Sequence, residues 1–195
     1  MGRIGLNRKK IMEQNSKYWQ NFYSKDRVTH NQSSFADECI THMTPGRRLI
    51  DIGCGNGRDS TFFSDYGLNV ISVDQSFPEE MFSKKCFYIK TDICDLQNIN
   101  CDYIYARFFI HAITVEQQYK FFEYIRNNCT NFFIEARSDK SAFEGDHYRR
   151  FINMNDIQHQ LNEFKFEYNI SEDIDRAITK TENPYIIRIF GKNKQ

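Results

Sequence analysis

The chain has 195 residues, 40% apolar and 15% aromatic, which suits one domain with a sizeable core and excludes both a disordered chain and two full catalytic domains. Twenty-six basic and 26 acidic side chains cancel, which argues against a strongly basic nucleic-acid-binding surface.

Arg3, Arg8, Lys9 and Lys10 open the chain without an acid and read as a solvated terminus. Residues 11–28 space Tyr18, Trp19, Phe22 and Tyr23 for one helix face. Ser33 or Ser34 suits the cap of a helix over Phe35–Met43, stopped by Thr44-Pro45-Gly46. Strands are predicted at Arg48–Ile52, Asn69–Val73, around Cys86–Lys90, Asp102–Ala106 and Phe132–Ala136, with a helix over Val115–Asn128 before the fifth. A short helix, Asn155–Leu161, leads to strands at Phe164–Ile170 and Tyr185–Phe190. Alternating strands and helices predict an α/β fold, a mostly parallel seven-stranded sheet with helices on both faces and a terminal antiparallel pair. No apolar run approaches the roughly 20 residues of a bilayer span, and the N-terminus lacks a signal peptide's apolar core. Six cysteines without a C-x-x-C pair read as reduced thiols of a cytoplasmic protein.

The run Asp51-Ile52-Gly53-Cys54-Gly55-Asn56-Gly57 joins the first strand to a helix beginning at Arg58. Glycines at alternate positions permit a tight turn and close approach of a ligand to the backbone, and the helix presents free N–H groups to it. A dinucleotide fold wants G-x-G-x-x-G, but the third glycine would fall where Arg58 stands. Asp51 before the turn repels a pyrophosphate and suits a cation. Asp74, with Gln75 and Ser76 behind it, ends the second strand where a carboxylate can accept both ribose hydroxyls. Asp92 follows the third, placed to accept from an adenine amino group while Ile93 covers the ring. One such acid alone reads as a cap or solvated turn; three at successive strand ends beside a triple glycine read as a nucleoside site.

On these residues the chain resembles the class I S-adenosylmethionine-dependent methyltransferases over nearly its whole length, as one domain, 1–195. The resemblance implies a Rossmann-like three-layer sandwich with strand order 3-2-1-4-5-7-6, strand 7 antiparallel, S-adenosyl-L-methionine as cofactor and S-adenosyl-L-homocysteine as product. It also implies that residues 11–45 form a helical lid, with Tyr18 and Tyr23 near the methionine end or the acceptor. Tyr18–Tyr23, Gly55–Ser60 and Arg107–Ile113 further resemble small bacterial methyltransferases of surface-polysaccharide and natural-product gene neighbourhoods.

Acceptor residues are expected beyond the fourth and fifth strands. Arg107 and His111 stand four apart; His111 is either a core histidine or a general base, since its ordinary pKa is about 6.5. Glu135, Arg137, Asp146, His147, Tyr148, Arg149 and Arg150 follow the fifth strand, either as a self-paired loop or as an anion clamp, guanidinium matching phosphate or carboxylate. His147 is the reserve base. The expected partner is a small anionic metabolite methylated on oxygen, such as an activated sugar; no metal is needed, since no H-x-x-x-H or close Cys–His group occurs. Without an inserted cap domain, closing the pocket falls to the N-terminal helix or to a homodimer partner. A nucleic-acid methyltransferase is disfavoured by the balanced charge and the missing N/D-P-P-Y/F motif, and a non-catalytic partner protein by the intact glycine turn.

Overall fold

The computed structural model of the chain describes residues 16–22, 31–76, 85–141, 148–174 and 185–194. Seven strands form one sheet: β1 (Arg48–Ile52), β2 (Asn69–Asp74), β3 (Phe87–Lys90), β4 (Cys101–Arg107), β5 (Cys129–Arg137), β6 (Glu167–Ile174) and β7 (Tyr185–Lys192). Their order is β3-β2-β1-β4-β5-β7-β6. The ladder is parallel from β3 to β5, and β7 runs antiparallel to both its neighbours. The helices are α1 (16–22), α2 (Ser34–Ile40), α3 (Arg58–Asp65), α4 (Val115–Asn128) and α5 (Met154–Glu163). The expected sandwich and strand order are both present.

Strand side chains alternate between faces, and the sequence obeys that period. Leu49, Val70, Tyr103, Tyr105 and Phe133 pack with Phe35, Ala36 and Cys39 of α2 and Phe63 of α3. Ile50, Ile52, Ile104, Ala106, Phe132 and Ile134 point the opposite way, onto Phe121, Phe122 and Ile125 of α4 and Ile157 and Leu161 of α5. Each such fully buried apolar side chain contributes about 1.5–3 kcal/mol. Asp51 belongs by parity to the α2/α3 face, which aims its carboxyl at α3. Gly191 of β7 lies opposite Phe132, and a Cβ there would overlap the phenyl ring.

Three of the boundaries that differ from expectation have a local physical cause. α2 ends at Ile40 because Thr41 folds its Oγ1 back onto the Glu38 carbonyl at 2.7 Å, and the next bonds tighten to His42 N–Cys39 O and Met43 N–Ile40 O. β5 begins at Cys129 rather than Phe132, since α4 passes straight into the strand: Cys129 already has extended dihedrals, φ −129 and ψ 147. β6 begins at Glu167 rather than Phe164. Lys165 stands at φ 57, and Phe166 N–H reaches back to the Leu161 carbonyl at 3.1 Å, a left-handed stop that delays the strand.

Candidate active site

The glycine turn, Asp74, Asp92, Arg107 and Arg137 all lie at the carboxyl edge of the parallel strands, where open α/β sheets bind ligands. Gly53, Gly55 and Gly57 take φ of 75, 57 and 72. The amides of Gly53 and Cys54 both donate to the Val73 carbonyl, at 2.7 and 3.2 Å, locking the turn to β2. A Cβ at Gly53 would stand 2.8 Å from the Phe109 ring, so that glycine is required by contact as well as by φ; at Gly57 the nearest atom is the terminal Tyr88 hydroxyl at 2.9 Å, and the positive φ is the constraint. Gly57 caps α3 without a side-chain bond, and Arg58 opens the helix as expected.

Asp51 is buried, with its Oδ2 accepting from Ser60 Oγ at 2.5 Å, and Ser60 in turn accepts from Ser72 Oγ at 2.8 Å. Burial pushes the Asp51 carboxyl up to about 8, the Ser60 hydroxyl opposes the shift, and Asp59 and Asp74 add to it. Burial likewise holds the Cys54 thiol well above its ordinary value, which leaves it a poor nucleophile.

Asp74 accepts from Gly55 N–H at 3.0 Å and Ser76 N–H at 2.7 Å, one bond on each oxygen. Burial raises its pKa, moderated by the backbone amides of Ser76, Gly55 and Gln75. The carboxylate keeps acceptor capacity for a ribose hydroxyl, so the residues present fit the nucleoside of S-adenosylmethionine. Ser76 Oγ donates to Ser16 Oγ at 3.1 Å, which brings α1, with Tyr18, beside the end of β2. Asp92 caps a single 3-10 turn, Ile93–Asp95, and Ile93 is buried in the core on the α4 side.

A polar hub invisible in the sequence lies beneath the turn. Asp59 accepts from Ser33 N–H at 2.7 Å, Ser33 Oγ at 2.8 Å and Tyr105 OH at 2.8 Å, all buried. Ser33 is also the N-cap of α2, accepting from Ala36 N–H. The first turn of α3 is thereby tied to the start of α2. Only the Ser33 cap had a local signal.

Beyond β4 and β5 the expected acceptor residues divide. Glu135, 1% exposed, accepts Arg107 Nε on one oxygen and Arg188 Nε on the other, both at 2.8 Å. Arg188 continues to Glu38 at 2.8 Å. Glu135 is therefore a buried carboxylate paired on both oxygens, and Arg107 is partly committed to it. Arg150 also departs from the expected clamp: its guanidinium donates to Gln118 Oε1 at 2.9 Å and the Ile113 carbonyl at 3.4 Å. Burial lowers its pKa. The Arg107 and Arg137 guanidinium carbons stand 4.0 and 5.5 Å from the Phe108 ring centroid, and Phe108 holds φ 57.

His111 is buried, with Nδ1 accepting from Arg137 N–H at 3.2 Å and its carbonyl accepting from Arg150 N–H at 2.7 Å. A neutral ring so held carries its proton on Nε2. That uses the Nδ1 lone pair and runs against the expected role of general base. Tyr148 and Arg149 lie half-buried on the same segment. Tyr23, Asp146 and His147 fall outside the described residues, as do residues 11–15 and 23–30 of the expected lid. Among the described residues no group of three His, Cys, Asp or Glu side chains could hold a metal, and no helix is long and apolar enough to cross a membrane.

The sequence matches the family model of the tellurite resistance protein TehB over residues 12–144. No curated protein matches significantly. Among solved structures, the chain resembles the 1,6-didemethyltoxoflavin-N1-methyltransferase of Burkholderia thailandensis at TM-score 0.69 and 15% identity, covering 98% of this chain and 89% of that one. The magnesium protoporphyrin IX methyltransferase of Synechocystis PCC 6803 gives 0.67 and 14%, covering 97% and 99%. TehB from Haemophilus influenzae gives 0.64 and 17%, covering 92% and 67%. The chain thus belongs to the TehB family and is built on the class I S-adenosylmethionine-dependent methyltransferase fold.

Proposed function

We propose that this protein transfers the methyl group of S-adenosylmethionine to a small anionic acceptor, on oxygen, at the carboxyl edge of β1, β4 and β5. The carrying observation is Asp74: a carboxylate fixed by two backbone N–H groups, beside a positive-φ glycine turn with no room for a side chain at Gly53. The sulfonium supplies an already activated methyl, so the protein's work is alignment and exclusion of water. Asp59 and Asp74 place carboxyl groups around the turn, which suits a cationic cofactor.

The acceptor reading rests on Arg137 and Arg149, with Arg107 held by Glu135 at the edge of the same region. In this reading an acceptor already ionised needs no base. A phosphorylated or carboxylated metabolite, such as the activated sugar of a surface-polysaccharide pathway, fits this chemistry. So does an inorganic oxyanion, a candidate suggested by the family's description. α1, bonded through Ser16 to Ser76, closes the cofactor mouth, and Tyr18 is its contact.

The test is calorimetric binding of S-adenosylhomocysteine to wild type and Asp74→Ala. Micromolar binding by wild type and a loss of about tenfold or more in the variant are expected. Transfer of label from methyl-tritiated cofactor is then measured with phosphorylated sugars, carboxylates and tellurite. Absence of S-adenosylhomocysteine binding removes the methyltransferase reading; labelling of neutral acceptors alone removes the anionic one.

A further inference from the structure

Asp92 is aimed by a side chain that arrives from another element. Gln117, 3% exposed, lies in the first turn of α4, 25 residues further along the chain. Its Oε1 accepts from Thr114 N–H at 3.0 Å while Thr114 Oγ1 accepts from Gln117 N–H at 3.2 Å, a reciprocal capping box. With Oε1 so occupied, the amide has one orientation, and its NH2 must face away from the cap. There it donates to Asp92 Oδ2 at 2.6 Å, while Asp92 Oδ1 accepts from Cys94 N–H at 2.9 Å.

The carboxylate is thus held at both oxygens, each by one donor, with one acceptor site remaining on each. Asp92 is only half-buried, so those sites are reachable from the cofactor edge. A cap needs only the Cys94 bond. The second bond, drawn from α4 across the sheet edge, adds nothing to the 3-10 turn itself but removes the carboxylate's freedom to rotate about χ2.

Resting on the cofactor reading above, we propose that Gln117 is a positioning residue for base recognition. It orients Asp92 so that its open lone pairs meet the exocyclic amino group of adenine and repel a carbonyl oxygen at the same place. Adenine is then selected over a 6-oxopurine by an acid that α4 holds in register, and α4's capping box becomes part of the cofactor's specificity.

The experiment compares dissociation constants of S-adenosylhomocysteine and S-inosylhomocysteine, measured by calorimetry on wild type, Gln117→Met and Gln117→Glu. Met keeps the volume and removes both amide bonds. Glu keeps the acceptor for Thr114 but presents a second carboxylate to Asp92, so it retains the cap if Met unfolds the turn. Wild type is expected to prefer adenine about tenfold or more, and both variants to bring the two constants within about threefold while melting cooperatively. A preference unchanged in a folded variant overturns the role of Gln117. Equal binding of both nucleosides by wild type overturns it too, since Asp92 then reads no amino group. Wild type that binds neither nucleoside instead fails the cofactor reading itself.

Discussion

At the scale of single residues the most informative is Asp51. Its unfolded pKa is near 3.8 and burial lifts the folded value to about 8, so between those limits the native state holds a proton that the unfolded chain has released. Stability is therefore greatest at the acid end of that window and falls as pH rises through it. Asp51→Asn removes the titrating group and keeps an acceptor for Ser60. Melting temperatures from about pH 5 to pH 8 should decline in wild type and stay flatter in the variant. Parallel curves for the two proteins would show that another group dominates. Phe108 carries a different kind of cost. A bulky residue at φ 57 is strained by about 1–3 kcal/mol, and the two guanidinium groups beside its ring, together with the Phe108 N–H bond to the Glu135 carbonyl at 2.7 Å, hold it there.

At the scale of elements, Lys165 offers the simplest adjustment. It is exposed, stands at φ 57, and ends α5 in the left-handed position that glycine fills without penalty. Lys165→Gly should stabilise the fold by about 1 kcal/mol, read as a rise of about 2–4 °C in Tm. Most of the elements were legible in the sequence because runs such as Leu49–Ile52 and Phe132–Ala136 alternate between two apolar faces. The boundaries that escaped depend on single dihedrals, at Cys129 and Lys165, that no residue type announces. The site divides in the same way. Asp51, Asp74 and Asp92 could be found because each stands at or just beyond the end of a strand. Asp59 joins Ser33 and Tyr105 across 26 and 46 positions, and Glu135 joins Arg188 across 53. Contacts so distant leave no local pattern. This is why the pairing of Glu135 with Arg107 and Arg188 could not be read from the sequence.

Across the whole molecule that ion is the main polar tie. Glu135 of β5 binds Arg107 of β4 and Arg188 of β7, and Arg188 reaches Glu38 of α2. Removing one partner from a buried pair leaves charge without compensation, at a cost of about 3–5 kcal/mol. Glu135→Ala should lose that much in urea unfolding, whereas Lys120→Ala, which breaks an exposed pair with Glu123, should cost under about 0.5 kcal/mol. Equal losses would mean that the buried network is not a principal support.

The placing of β7 between β5 and β6 also bears on the order in which the sheet can be completed. β6 precedes β7 in the chain yet, among the described residues, pairs in the sheet with β7 alone. Until the later strand arrives, β6 waits unpaired and the backbone of Phe132–Ala136 is an open edge. Open strand edges recruit other chains. During synthesis, then, β5 keeps one side uncovered until β7 arrives, and slowing the arrival of Tyr185–Lys192 should favour aggregates over native protein.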